Sequence, residues 1–208
     1  MNLKLWLEML AVLALPPLLI ALGWGGIWQV MPPAALLGGG LLMASRKHPT
    51  PQYLAQASKV RRRAQAIRLL LRFALTATVL ILALSWWRPE ELFRFPLQRP
   101  RIWLMVMLLY PAISVPLQEM LYRSLFFQRY ARILPDLPLA ILINALLFAW
   151  LHVFLGPLSM LLSFVAGLFF AETYLRSRSF ALVCLEHALY GNLVFTIGLG
   201  SFFYHNPA

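Results

Sequence analysis

The sequence is short of charge. Only 12% of its 208 residues are Asp, Glu, Lys or Arg, against about a quarter in a soluble globular domain, and 61% are hydrophobic. So few charges cannot cover a water-soluble fold, which leaves a polytopic membrane protein as the class. Acidic residues are scarcer still, 7 against 18 basic ones, for a net charge of +11. That excess would suit nucleic acid, but the cations stand between long apolar runs and not on one solvated face. They therefore read as topology signals, and nucleic acid is excluded as a partner. Cysteine occurs once, at Cys184 inside an apolar run, which excludes an intrachain disulfide and any CxxC metal or redox site. The chemistry must use carboxylate, imidazole, amide or hydroxyl groups.

What is present is apolar sequence in blocks of membrane length. A window of about 20 residues, enough to cross roughly 30 Å of hydrocarbon, predicts about seven transmembrane helices, near 5–22, 27–44, 67–87, 102–122, 139–155, 157–175 and 180–204. The fold class is all-α, a polytopic membrane helix bundle. The first block starts like a signal peptide, with Lys4 and an apolar stretch. Glu8, the Pro16-Pro17 break and the lack of a small-x-small site before Gly23 favour a retained helix. No internal repeat is visible. The chain divides at residue 100 into an N-terminal three-helix membrane segment (1–100), with a basic loop at 45–72, and a motif-bearing half (101–208).

Basic loops resist translocation, so they orient the bundle. With the N-terminus inside, 13 lysines and arginines fall on the cytoplasmic side and only Arg88, Arg94, Arg99 and Arg101 on the other. The N-terminus is expected to be cytoplasmic. The 45–72 stretch reads as a plain positive-inside loop in preference to an amphipathic helix lying on anionic lipid.

Ionisable side chains within a bilayer cost about 2.5 to 3.5 kcal/mol each on insertion scales, so each needs a reason. Three of the seven acidic residues, Glu119, Glu172 and Glu186, and two of the four histidines, His152 and His187, sit in apolar runs. Glu119 and Arg123, four apart, share a helix face and can pair; Glu172 can pair with Arg176 in the same way. Asn144, Phe148 and His152 form one polar stripe with an aromatic between amide and imidazole. A hairpin turning at Leu134-Pro135-Asp136-Leu137-Pro138 brings Glu119 and His152 to one level. His187 counts out shallower, so a tilted or broken helix is needed to bring it level, and Pro111 and Pro116 supply such irregularity. A carboxylate beside two imidazoles in a membrane cavity is what water-activating or metal-assisted hydrolysis requires. Helix-to-helix pairing alone is the competing account of the same residues.

Three stretches carry a family resemblance. Gln118-Glu119-Met120-Leu121-Tyr122-Arg123, Phe148-Ala149-Trp150-Leu151-His152 and Glu186-His187-Ala188-Leu189-Tyr190-Gly191-Asn192 resemble, in order and spacing, the motifs Glu-Glu-x-x-x-Arg, Phe-x-x-x-His and His-x-x-x-Asn of the CPBP intramembrane proteases. These are the type II CAAX prenyl endopeptidases and bacteriocin-processing enzymes, and the likeness covers roughly residues 101 to 204. It implies an intramembrane endopeptidase acting on a membrane-associated or prenylated-type peptide or protein substrate within the lipid bilayer. In that reading Glu119 is the water-activating base and Arg123 orients it. His152 and His187 stabilise the oxyanion or bind a divalent metal such as zinc, and Gln118 and Asn192 complete the site. Two positions depart from the pattern. Gln118 stands at the first glutamate, and glutamine is no base; Gly191 stands at the asparagine, with Asn192 one residue later, about 100° around an ideal helix. Two histidines are also one short of the three protein ligands usual for catalytic zinc.

The alternative is a catalytically silent homologue acting as a membrane binding or scaffold protein because of Gln118. A proton-linked transporter is disfavoured, because the polar residues cluster in one half of the chain without a paired broken helix in the other. The compact chain, with loops that carry no targeting signal, points to a bacterial inner membrane.

Overall fold

The computed structural model describes residues 2–45 and 62–203. The basic stretch 46–61 and the tail 204–208 lie outside the described residues, and with them most of the loop that the sequence offers as an alternative amphipathic helix. Among the described residues seven longer helices carry the fold: α1 Leu3–Ala21, α2 Ile27–Ser45, α3 Arg62–Trp87, α4 Pro100–Ile133, α5 Leu137–Trp150, α6 Pro157–Ser177 and α7 Phe180–Ile197. Among the described residues no strand forms, and six of these helices are long and apolar enough to cross a membrane. The chain is an all-α polytopic membrane bundle. The seventh helix, α5, has 14 residues, about 21 Å at 1.5 Å per residue, and does not reach across roughly 30 Å of hydrocarbon.

The helix starts follow local chemistry. Asp136 accepts from Leu139 N at 2.8 Å and Ser179 from Leu182 N at 3.2 Å, each satisfying a donor that the first helical turn leaves open. Pro138 falls in the first turn of α5, where its missing N–H costs nothing, so the hairpin turns where the prolines predict.

Four boundaries differ from the sequence reading. α3 begins at Arg62, not near 67, because Arg68 and Arg72 have acidic partners on α6 and α7 and need no loop. α4 continues to Ile133 instead of ending near 122, since Arg123 and Arg129 are paired inside the bundle. α5 ends at Trp150, so His152 sits in the turn that leads through Val153–Leu155 to Gly156. α7 ends at Ile197, because Gly198 takes φ 112° and a Cβ there would overlap the carbonyl of Glu91.

Within α4 the backbone widens to i→i+5 bonding over Tyr110–Ser114 and again over Met120–Tyr130. The first stretch contains Pro111, which has no N–H for the i→i−4 ladder. More residues per turn turn the polar face and shorten the climb, and this helps Glu119 meet α7.

The N-terminal helices are fastened to the motif-bearing half. Glu8 of α1 takes a forked ion pair from Arg129, joined by Tyr130 Oη at 3.0 Å and, on Arg129, by Ser45 Oγ at 3.2 Å. Tyr122 Oη donates to Leu13 O and Trp150 Nε1 to Ala14 O, both at 2.9 Å. These bonds reach α1 just before Pro16-Pro17, where Pro17 has no N–H to give Leu13 O in an α ladder. The buried core gathers Tyr122, Leu125, Phe126, Tyr130, Phe148 and Phe170 around α4, α5 and α6. Outward surfaces remain apolar, with Leu36, Leu71, Leu75 and Leu82 exposed, as contact with lipid tails allows. Trp24, Trp28 and Trp86 are 77, 84 and 88% exposed at the same end of the bundle, the arrangement of an interfacial aromatic belt.

Candidate active site

Glu119, on α4, and His187, on α7, meet. His187 Nδ1 lies 2.8 Å from Glu119 Oε1, and both side chains are buried. On the other side of the carboxylate Arg123 Nε stands 3.3 Å from Oε2. That contact is an ion pair without hydrogen-bond alignment, since Oε2 and Nε each lack a hydrogen-bond partner. Arg123 is instead held by stacking, 4.6 Å over the Phe148 ring and 5.5 Å from Phe170, and by donating from Nη1 to Tyr122 O at 3.3 Å. The sequence places a cation beside Glu119; the cation sits on an aromatic shelf that i,i+4 counting does not reveal.

His152 joins through Phe148. The Phe148 ring packs edge-on against His152 at 5.3 Å and against His187 at 5.4 Å, so the two imidazoles are separated by no more than the sum of these distances. Phe170 stacks on His187 at 4.7 Å. His152 Nδ1 lies 3.0 Å from Phe148 O. Each imidazole therefore has Nδ1 engaged by an acceptor, so in the neutral ring the hydrogen sits there and Nε2 keeps its lone pair.

The remaining candidates are less central. Gln118 donates back to Ser114 Oγ at 2.8 Å on its own helix, and Asn192 donates to Met107 O at 3.4 Å. Gln118 Oε1 and Asn192 Oδ1 are buried without a hydrogen-bond partner. Asn144 gives its amide to Tyr122 O within the widened part of α4 and so braces that helix. Glu186 turns away from its neighbour His187 and pairs with Arg72, in a network that also holds Glu172, Thr173, Arg68 and Arg176.

Residues 100–193 match the family model described as type II CAAX prenyl endopeptidase Rce1-like. This segment belongs to that family. No match was found among the curated proteins or the solved structures. The match supports, at the level of class, a CAAX-type intramembrane protease, and the apolar helices make the chain an integral membrane protein.

The Rce1-like segment holds the Arg123–Glu119–His187 cluster, the Phe148 shelf and His152. A divalent metal is the cofactor that the resemblance raises, and the donor set is the test of it. Among the described residues no three His, Cys, Asp or Glu side chains are placed to hold one ion. Glu119 is spent on His187 and Arg123, and Phe148 lies against both imidazoles. The arrangement does not fit a three-ligand metal site.

Two groups that touch the site escaped the sequence reading. Phe170 stacks on His187 from α6, a helix without a motif. Tyr110 lies edge-on to His187 at 5.9 Å, and the space it fills is the side-chain space of Gly191. The glycine at 191 was the signal that could have pointed to it.

Proposed function

We propose that this protein is an endopeptidase that cleaves a peptide bond of a membrane-associated, prenylated-type peptide at the Glu119–His187 pair. The 2.8 Å contact between Glu119 Oε1 and His187 Nδ1 carries the proposal. A carboxylate that accepts from Nδ1 fixes the ring's tautomer and stabilises the imidazolium that forms when Nε2 takes a proton from water. The pair acts as the base, with Glu119 holding the charge and His187 receiving the proton. Arg123 supplies the opposite charge beside Glu119. His152, with Nδ1 tied to Phe148 O, offers Nε2 as an acceptor for the second water hydrogen. The buried acceptors Gln118 Oε1 and Asn192 Oδ1 suit the N–H groups of an extended peptide.

The excess of cations in 45–72 supports a cytoplasmic N-terminus, and a bacterial inner membrane is the proposed location. A second reading, a silent homologue that binds peptide without cutting it, is favoured by one observation: Gln118 is an amide tied to Ser114. The test compares membranes containing wild type, Glu119→Gln and Gln118→Glu by proteomics of peptide termini. A set of termini present with wild type and missing with Glu119→Gln supports the peptidase. Termini that appear only with Gln118→Glu support the silent homologue.

A further inference from the structure

Resting on the peptidase reading above, we infer that the Tyr110 hydroxyl is the hydrogen-bond donor that meets the oxyanion in this site. Tyr110 opens the first widened stretch of α4, ahead of Glu119 on the same helix. Its ring is edge-on to His187, with centroids 5.9 Å and planes 76° apart, and is held from behind by Phe195 at 5.6 Å. The phenol end of the ring lies on the α7 backbone at Gly191, where an added Cβ would overlap Tyr110 Cε1, Cζ and Oη. Gly191 is four residues beyond His187 and shares its helix face. The hydroxyl is thus delivered from α4 to the side of α7 that carries the base, into space that any side chain at 191 would take.

Hydrolysis of an amide needs such a donor. Water oxygen bonds to the carbonyl carbon, one water proton passes to His187 Nε2, and the carbonyl π pair moves onto oxygen. Tyr110 donates a hydrogen bond to that oxyanion and keeps its proton. Collapse restores the carbonyl and breaks the C–N bond, and the leaving nitrogen takes the proton back from His187. The amide and imidazole donors near the site have other work. Gln118 Nε2 serves Ser114 Oγ, Asn192 Nδ2 serves Met107 O, and His152 Nδ1 faces Phe148 O. The Tyr110 ring packs against His187 and its hydroxyl lies at Gly191, and the residue is not wholly buried.

The test uses the full chain in liposomes with a palmitoylated, internally quenched random peptide library as probe. It compares wild type, Glu119→Gln and Tyr110→Phe, with thermal unfolding measured on each. Removing one oxyanion donor costs about 10²- to 10³-fold in kcat, and the phenylalanine keeps the ring that packs on His187. The expected result is Glu119-dependent turnover in wild type and a kcat for Tyr110→Phe lower by that factor, with KM and unfolding temperature unchanged. Turnover that Glu119→Gln abolishes but Tyr110→Phe leaves at the wild-type rate overturns the inference and leaves the peptidase standing. Turnover absent from wild type, or indifferent to Glu119→Gln, overturns the peptidase reading and the inference with it. A Tyr110→Phe variant that loses rate through a raised KM or a lowered unfolding temperature also overturns it, because the residue would then only pack.

Discussion

Arg123→Leu is the most informative single perturbation of the buried cluster. Arg123 and Glu119 are both fully buried, with Nε and Oε2 3.3 Å apart. Deleting one partner of a buried pair leaves the other charge uncompensated, which costs about 3–5 kcal/mol. Here the leucine also gives up stacking on Phe148 and Phe170, worth about 2 kcal/mol when desolvated. Against this, His187 Nδ1 still faces the Glu119 carboxylate at 2.8 Å, which places the expected loss near the lower bound, about 3 kcal/mol. For a chain of this size each kcal/mol moves the midpoint by roughly 2–4 °C, so thermal unfolding in detergent should fall by about 6–12 °C. Glu119→Gln alone strands the guanidinium and should cost a similar amount. The double variant removes both charges, so its loss should be smaller than the sum of the singles by at least about 2 kcal/mol, well beyond the ~0.5 kcal/mol expected of independent sites. Additive losses, or an Arg123→Leu midpoint within about 2 °C of wild type, would show that the pair is not the charge-neutralising unit described.

Three other outcomes follow from the same structure. Glu8→Gln should loosen α1 from α4, because the forked pair to Arg129 is more than four-fifths buried on both sides; a loss of about 1.5–3 kcal/mol and faster proteolysis between α1 and α2 are expected, and unchanged cleavage would count against the tie. Arg72→Met should strand Glu186, which is fully buried, and adding Glu186→Gln should recover most of the lost unfolding temperature; no recovery would mean that Arg72 acts through Phe169 and Thr173 instead. Reporter fusions after Ser58 and after Ala208 should give opposite signals, since the cations place the 45–72 loop inside and seven crossings put the C-terminus outside; equal signals would mean that the short α5 does not make a crossing of its own, leaving six.

The pair of Glu119 and Arg123, the hairpin at Pro135, the link of Glu172 to Arg176 and the singling out of His152 and His187 were all legible in the sequence. Polar groups in apolar runs are conspicuous, and helix periodicity places neighbours four residues apart. The depth of His187 was not legible, because counting at a uniform rise per residue cannot see the widened turns of α4. Arg72 was legible only as one more loop cation. Its acidic partners, Glu172 and Glu186, lie on α6 and α7, about a hundred residues away in sequence, beyond the reach of helix periodicity.

Composition and hydropathy by themselves determined that this chain is a helical membrane bundle, because backbone polar groups in hydrocarbon must be satisfied within the helix and about 20 apolar residues are needed to cross. Motif spacing determined which residues were candidates. Only the tertiary structure decided their alliances: Glu119 with His187 and not with His152, Glu186 with Arg72 and not at the site, Glu8 with Arg129. It also decided that Tyr110 fills the space above Gly191. These contacts join residues far apart in the chain. Their existence depends on helix tilt, widened turns and close approach at glycine, none of which leaves a local signature in the sequence.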